Sequence, residues 1–324
     1  MNNRSWEEII LPLMPVQIRK LLTRLPDTIA DSLEEIRLRA GKPLMIHSGG
    51  KDYFLDARGH ITLSPVYGYI IAMEECQRFL ENISDYSLYA IEEELRNGYI
   101  TLKGGFRIGV VGKAVLEKRK IKLLKYCSGF NIRITRQVLG AADKVMPFLV
   151  GSCGVRHTLV ISPPQLGKTT MLRDIARQLS NGWKTFHGVK VGIVDERSEI
   201  AGCYQGIPQN DIGIRTDVLD ACPKAEGILM LIRSMSPQVI VTDEIGRKDD
   251  IEALEEALNA GVKIITSAHG GSIEEVKQRP FMKELIEKKI FERYILLGNS
   301  KGVGTVESIL EGINFHNLLK MPVK

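Results

Sequence analysis

Cysteine is scarce in this chain. Its five cysteines (Cys76, Cys127, Cys153, Cys203 and Cys222) are scattered through 324 residues with no CxxC pair among them. That excludes a disulfide framework and a cysteine-held zinc site, and it fits a reducing cytosol. Aromatic residues make up only 6%, too few for a platform on which single-stranded nucleic acid could stack. Long apolar runs are missing too: the longest early one, Ile9 to Val16, contains Pro12 and Pro15 and falls far short of a bilayer span. No charged-then-apolar opening suggests a signal peptide. The expected location is therefore cytoplasmic, with any membrane association peripheral. Neither sign of charge dominates. The net charge of +5 is read as dispersed, without a basic run; it permits contact with anionic lipid or nucleic acid and argues for neither.

What is present is an ordinary globular composition, 44% hydrophobic and 26% charged, in a chain long enough for two domains. Residues 5–25 carry apolar residues at helical spacing, interrupted by Pro12 and Pro15. Strand-like runs punctuated by glycine follow: EEIRLRAG, KPLMIHSGG and DYFLDARG. Residues 69–97 read as two helices, the second ending at Gly98. Strands return in YITLKGGFRIGVVGKAVL and FNIRITRQV. After about residue 140 the rhythm changes to strict alternation. HTLVIS, KVGIVDE, QVIVTDE and VKIITSAHG read as strands, with helices expected at 169–181, 224–235 and 248–260. Nearly continuous apolar strands alternating with helices mark a parallel sheet covered on both faces. The expected domains are a mixed α+β domain over 1–140 and an α/β domain over 141–324.

The chemistry concentrates in the second half. Residues 161–170 read ISPPQLGKTT, a strand end running through a loop into a helix. In a phosphate-binding loop, backbone amides converge on the phosphates, a lysine reaches the β/γ oxygens, and the next hydroxyl binds Mg²⁺. Gly167, Lys168 and Thr169 supply those parts, and Thr170 opens a helix whose positive end faces an anion. The tripeptide alone could be a turn into a helix cap; its strand–loop–helix setting separates the two readings. The start of the loop departs from the usual pattern, with Ser162 and Gln165 where glycine is common. Either position is costly if it requires positive φ.

Downstream, VIVTDE ends in Asp243 and Glu244, suited to holding Mg²⁺ through water and to polarising an attacking water. One strand and one helix are expected between the loop and this strand. KVGIVDE ends in Asp195 and Glu196, and VKIITSAHG delivers His269 to the same strand edge. In a parallel sheet all of these ends face one crevice.

The sequence resembles the stage III sporulation AA family of ATPases, related to the ring-forming motors of type II and type IV secretion. The resemblance covers nearly the whole chain. It is most specific in SLYAIEEELRNGYITLKGGFRIGVVGKAV (87–115), FNIRITRQV (130–138) and NDIGIRTDVLDACPKAEGILMLIRSMSPQVIVTDEIG (210–246). It implies a RecA-like P-loop core with a mainly parallel sheet, preceded by a smaller α+β domain. It also implies a hexameric cytoplasmic ATPase on the mother-cell face of the membrane around the forespore. There the ATPase would work with membrane proteins of the same operon in a channel or feeding apparatus. ATP and Mg²⁺ are the implied cofactors.

By the resemblance, Ser162, Pro163, Pro164, Gln165, Leu166, Gly167, Lys168, Thr169 and Thr170 hold nucleotide, and Thr169 and Asp243 serve the metal. Glu244 then acts on water, Glu196 lies in an acidic box and His269 in a histidine box. A ring ATPase also needs an arginine to stabilise charge on the transferred phosphoryl group. Arg133 and Arg215 rank first, then Arg136; Arg37 and Arg39 share one strand face. Two other classes compete with the motor: a nucleic-acid-dependent ATPase, which the missing basic run and few aromatics disfavour, and a nucleotide-binding scaffold without turnover.

Overall fold

Ile36 and Leu38 are fully buried, whereas Arg37 and Arg39 between and beside them lie partly open; this period-2 alternation makes EEIRLR a half-buried strand. The computed structural model describes all residues except 1–3, 86, 88–90, 118, 135–136, 152–153 and 321–324, and the side chains of 93, 120 and 320. The chain divides into two compact units, residues 1–136 and 137–324.

The N-terminal unit opens with α1 (Ser5–Ile9), α2 (Val16–Leu22) and α3 (Asp27–Ala30). Pro12 falls in a 3₁₀ turn over Leu11–Leu13, and Pro15 caps α2, so the prolines divide the helical pattern as expected. Next come β1 (Leu33–Arg39), β2 (Met45–Ser48), β3 (Lys51–Leu55) and β4 (Ile61–Thr62), and then α4 (Met73–Ile83) and α5 (Glu92–Arg96). The unit ends in β5 (Tyr99–Thr101), β6 (Arg107–Glu117) and β7 (Lys120–Arg133). One antiparallel sheet results, in the order β4-β3-β2-β1-β7-β6-β5. Its core includes Trp6, Phe79, Phe106 and Phe130, with Phe79 of α4 edge-on to Phe130 of β7 at 5.0 Å.

Strand β7 begins ten residues before the expected FNIRITRQV. The added residues mix lysines with apolar side chains, and residues 121–126 are open or half-open, so that stretch lacks the one-sided burial by which a strand is read. The reading of the basic residues as dispersed is also corrected here. Lys113, Lys118, Arg119, Lys120, Lys122 and Lys125 fall within thirteen residues of this hairpin. Apolar residues interleave them, and that hid the run.

The C-terminal unit begins with α6 (Met146–Leu149) and a short ladder of β8 (Val150–Gly151) with β9 (Gly154–Val155). Then follow β10 (Thr158–Ser162), α7 (Lys168–Asn181), the ladder of β11 (Gly182–Trp183) with β12 (Phe186–His187), β13 (Val191–Asp195), β14 (Thr216–Asp220) and α8 (Lys224–Met235). The rest comprises β15 (Val239–Glu244), α9 (Lys248–Asn259), β16 (Lys263–His269), α10 (Ile273–Lys277), α11 (Pro280–Glu287), β17 (Arg293–Gly298) and β18 (Thr305–Glu311).

The main sheet runs β14-β13-β15-β16-β10-β17-β18, parallel throughout except for the antiparallel β18. Apolar clusters cover both faces, as continuous apolar strands require. Two features depart from expectation. Strand β14 adds a second strand of the main sheet between the loop and β15; its sequence TDVLD is half exposed at the sheet edge, so it carries no apolar run. The β17–β18 hairpin closes the other edge.

At the N-terminal end of the sheet, His157 ties three segments together. Its backbone N–H donates to Glu292 Oε2 (3.0 Å), and its Nδ1 accepts from the Ile264 N–H (3.1 Å). Burial, with Lys263 adding to it and Glu292 opposing, lowers its pKa from 6.5 to about 4. The folded chain therefore resists a proton that the unfolded chain accepts. This contribution to stability is complete above pH 6.5 and is lost as pH falls through 6.5 towards 4. The melting temperature should drop more between pH 7 and pH 5 in the wild type than in His157→Gln, whose amide oxygen can still accept from Ile264. Equal slopes in thermal melts of the two proteins would count against this account.

Candidate active site

Four neighbouring strands, β13, β15, β16 and β10, deliver the candidate residues to one edge of the sheet. Ser162 ends β10 and is fully buried; its hydroxyl donates to the Pro163 carbonyl at 2.7 Å. Its backbone is not among those with positive φ, so a glycine is not required there. Gln165 is different: its φ of 62° puts a residue with a Cβ in the left-handed region. Gly167 follows at φ 85° as the N-cap of α7. A Cβ at Gly167 would stand 3.2 Å from the Gly304 Cα, in the loop of the β17–β18 hairpin. That loop lies directly against the phosphate loop.

Lys168 opens α7, a cation at the positive end of a helix, where the dipole disfavours it. Three acceptors hold it: the Ser162 carbonyl at 3.0 Å, the Pro163 carbonyl at 3.1 Å and His269 Nδ1 at 2.7 Å. Burial lowers its pKa, with Glu244 opposing the effect. Because an ammonium only donates, His269 Nδ1 accepts, and the ring proton sits on Nε2. That nitrogen faces Glu244 Oε2 at 2.8 Å. Lysine, neutral histidine and carboxylate thus form one chain across β10, β16 and β15.

A second cluster lies beside it. Lys224, at the start of α8 and 8% exposed, pairs with Glu196 and with Asp243 Oδ1, the latter at 3.1 Å. Burial pushes the Asp243 carboxyl up to about 6, Lys224 pulling against that and Asp195 and Glu196 adding to it. Burial also disfavours the charge on Lys224, but contact with Glu196 and Asp243 outweighs it and the lysine's pKa rises. Asp195 is fully buried and accepts the Glu199 and Ala201 amides at 2.8 Å each. It shapes the following loop and leaves Glu196 alone to face the site.

Lys168, Thr169, Glu196, Lys224, Asp243 and Glu244 line a cavity of about 310 Å³, large enough for a small polyanion. The donor set suits phosphate bearing Mg²⁺, with a hydroxyl at Thr169, a carboxylate at Asp243 and few protein ligands in all. Among the described residues no group of three or more His, Cys, Asp or Glu is arranged to hold a metal by itself. Pro163, Pro164, Gln165 and Leu166 form the exposed or half-exposed loop between β10 and α7, and Thr169 and Thr170 lie in the helix's first turn.

A family profile for sporulation stage III, protein AA, matches residues 4–314. The chain belongs to that family. It is 46% identical over 302 residues to the stage III sporulation protein AA of Bacillus subtilis, covering 93% of this chain and 94% of that protein. Two solved structures share its fold. One is the ATPase DotB of Legionella pneumophila, with a TM-score of 0.54 and 16% identity over 82% of this chain and 72% of that one. The other is the pilus retraction motor PilT with bound ADP, with a TM-score of 0.53 and 14% identity over 82% of this chain and 74% of that one. The family fold is therefore that of the secretion ATPases, a P-loop core on a mostly parallel sheet.

Of the residues singled out from sequence, Lys168, Thr169, Glu196, Asp243, Glu244 and His269 come together. Arg215 does not. Arg215 precedes β14, and its guanidinium donates to the Ser180 carbonyl at 2.9 Å. It is thereby held at the far end of α7 from Lys168, about 20 Å along a fourteen-residue helix. Arg133 lies exposed at the end of β7 in the N-terminal unit, and Arg136 lies outside the described residues. Two other arginines lie beside the carboxylates: Arg279 (3.9 Å from Glu244 Oε1) and Arg247 (3.9 Å from Glu196 Oε1). Lys224 was also missed. Its one sequence signal is a lysine after Pro223 at a helix start, where a cation needs carboxylates to hold it.

Replacing Gln165 by glycine should remove the left-handed strain and stabilise the protein by roughly 0.5 kcal/mol or more, net of the flexibility that glycine adds to the unfolded chain. Gln165→Val should destabilise it by about 1 kcal/mol or more. Thermal melts in the absence of nucleotide measure both; a valine variant as stable as the glycine one would show that the loop stores no strain.

Proposed function

We propose that the protein binds ATP with Mg²⁺ and hydrolyses it. The observation that carries this reading is the Lys168–His269–Glu244 chain, with contacts of 2.7 and 2.8 Å. It connects the group suited to a γ-phosphate with the carboxylate suited to a water. A phosphate entering the loop competes for the Lys168 ammonium and frees His269 Nδ1. The imidazole, whose one N–H is on Nε2, can then turn that N–H from Glu244 Oε2 to the phosphate, and the Glu244 carboxylate is released. In this way the acid–base carboxylate senses whether the loop is filled. Mg²⁺, held through Thr169 and Asp243, would neutralise charge on the β- and γ-phosphates. Glu196 and Lys224 set the charge around Asp243, and Arg279 and Arg247 add positive charge beside Glu244 and Glu196.

Family membership and fold together support a reading of the physiological role. We infer a ring motor, most simply a hexamer, that energises a secretion-like complex between mother cell and forespore. Membrane proteins of the same sporulation operon are its partners, and it works from the cytoplasmic, mother-cell side. Among the described residues no helix is long and apolar enough to cross a membrane, so membrane contact in this reading is peripheral. In a ring, the arginine that completes a site comes from a neighbouring copy, and Arg133 and Arg215 remain candidates for that role.

Lys168→Ala should abolish binding of a fluorescent ATP analogue. Glu244→Gln should keep binding and slow phosphate release by about a hundredfold or more. If wild type and Glu244→Gln release phosphate equally slowly while binding ATP tightly, the protein is a nucleotide-dependent scaffold.

A further inference from the structure

The whole net charge of the protein sits in one small element. Residues 111–126 carry six lysines and arginines against one acid, Glu117, a net of +5, which equals the net charge of the entire chain. Those of them that the structure describes lie in the outer part of the β6–β7 hairpin. The sheet itself ends earlier, because β5 pairs with β6 only through Gly109 and β1 with β7 only from Gly129 onward. Beyond that, Lys113 to Glu117 pair with Lys120 to Lys125 and with no other strand among the described residues. The result is a two-stranded arm about 17 Å long. Helix α5 touches it, with Arg96 Nε donating to the Lys122 carbonyl at 3.2 Å. Within α5, Glu92 pairs with Arg96 at 3.6 Å, and Glu94 accepts the Thr101 amide at 3.1 Å.

The arm is also apolar where a solvated strand should not be. Val111 is 63% exposed, Leu116 63%, Ile121 42% and Tyr126 68%. Lys113, Arg119, Lys122 and Lys125 are exposed among them. Only Lys122 has a described ion pair, with Glu117 at 3.2 Å. Cations alone would suit any polyanion. Cations interleaved with exposed aliphatic side chains suit a surface that is anionic outside and hydrocarbon beneath. Nucleic acid fits less well, because Tyr126 is the arm's one aromatic residue and aliphatic side chains give bases little to stack on.

We propose that the β6–β7 arm docks on the surface of an anionic lipid bilayer, its lysines at the headgroups and Leu116 and Ile121 inserted beneath them. This contact is direct, unlike the partner-mediated one of the proposed function. It rests on the arm alone and stands whether or not the other unit turns over ATP.

The test is co-sedimentation of the full-length, nucleotide-free protein with vesicles. Phosphatidylcholine mixed with phosphatidylglycerol is compared with phosphatidylcholine alone. The wild type should sediment only with the anionic vesicles and be released by salt. Lys113→Gln, Lys122→Gln and Lys125→Gln together should weaken association about tenfold or more. Leu116→Ser with Ile121→Ser should keep the initial attraction but dissociate at lower salt than wild type. All five positions lie on the exposed arm, so circular dichroism and binding of a fluorescent ATP analogue should match wild type and report a fold failure separately. Wild type left in the supernatant with both vesicle types overturns the proposal, as does sedimentation of both variants like wild type. Failure to bind vesicles, combined with single-stranded RNA binding that the lysine variant loses, assigns the arm to nucleic acid instead.

Discussion

An ammonium group at the positive end of a helix is out of place unless something answers it, and much of the C-terminal unit is arranged around that fact. Lys168 starts α7 against the dipole, half-buried, and three acceptors converge on it. Two are carbonyls of its own loop. The third, His269, requires β16 to lie beside β10 in a register that brings Ser162 opposite His269. His269 in turn fixes the orientation of Glu244. Moving any of the three strands by one residue would leave a charge unanswered. The lysine is thus stable in its place yet held by contacts that an anion can outcompete.

The same arrangement recurs a few ångströms away with different elements. Lys224 is also a cation at a helix start, and there two carboxylates from β13 and β15 answer it. The two clusters share the β15 end, with Asp243 turned to one lysine and Glu244 linked through His269 to the other. Charge balance among two lysines, three carboxylates and one neutral imidazole makes the crevice receptive to a ligand carrying several negative charges and a divalent cation. A ligand with one charge could satisfy only one of the two lysines.

Much of this could be read from the sequence, for a physical reason. Continuous apolar runs such as VIVTD stand out because both faces of a parallel strand are buried, and each such strand ends where a polar residue begins. Lys168, Thr169, Glu196, Asp243, Glu244 and His269 all lie at or just after such ends. What escaped lies where burial is partial. TDVLD is an edge strand without a hydrophobic signature, and KIKLLKY is open on most of its length. Arg247 and Arg279 come from the turns that lead into α9 and α11, where sequence gives spacing but not direction. Arg215, prominent in a distinctive motif, is anchored at the far end of α7 from Lys168, so it could serve such a site only from a neighbouring copy. The missing glycines at the loop's start divide as well, since Ser162 has no need of one and Gln165 occupies a conformation that glycine would take more easily.

The contact between Gly167 and Gly304 bears on how the protein is made. The phosphate loop leaves the ribosome midway, but the hairpin loop that packs on it emerges only after five more strands of the main sheet, β18 following later still. A nascent chain that has completed β10, α7 and the acidic strands therefore still lacks one wall of its phosphate loop, with the backbone at Gly167 uncovered. The loop takes its final shape only when the last hairpin closes the sheet's edge. A chain cut short before that hairpin would lack this wall of the loop.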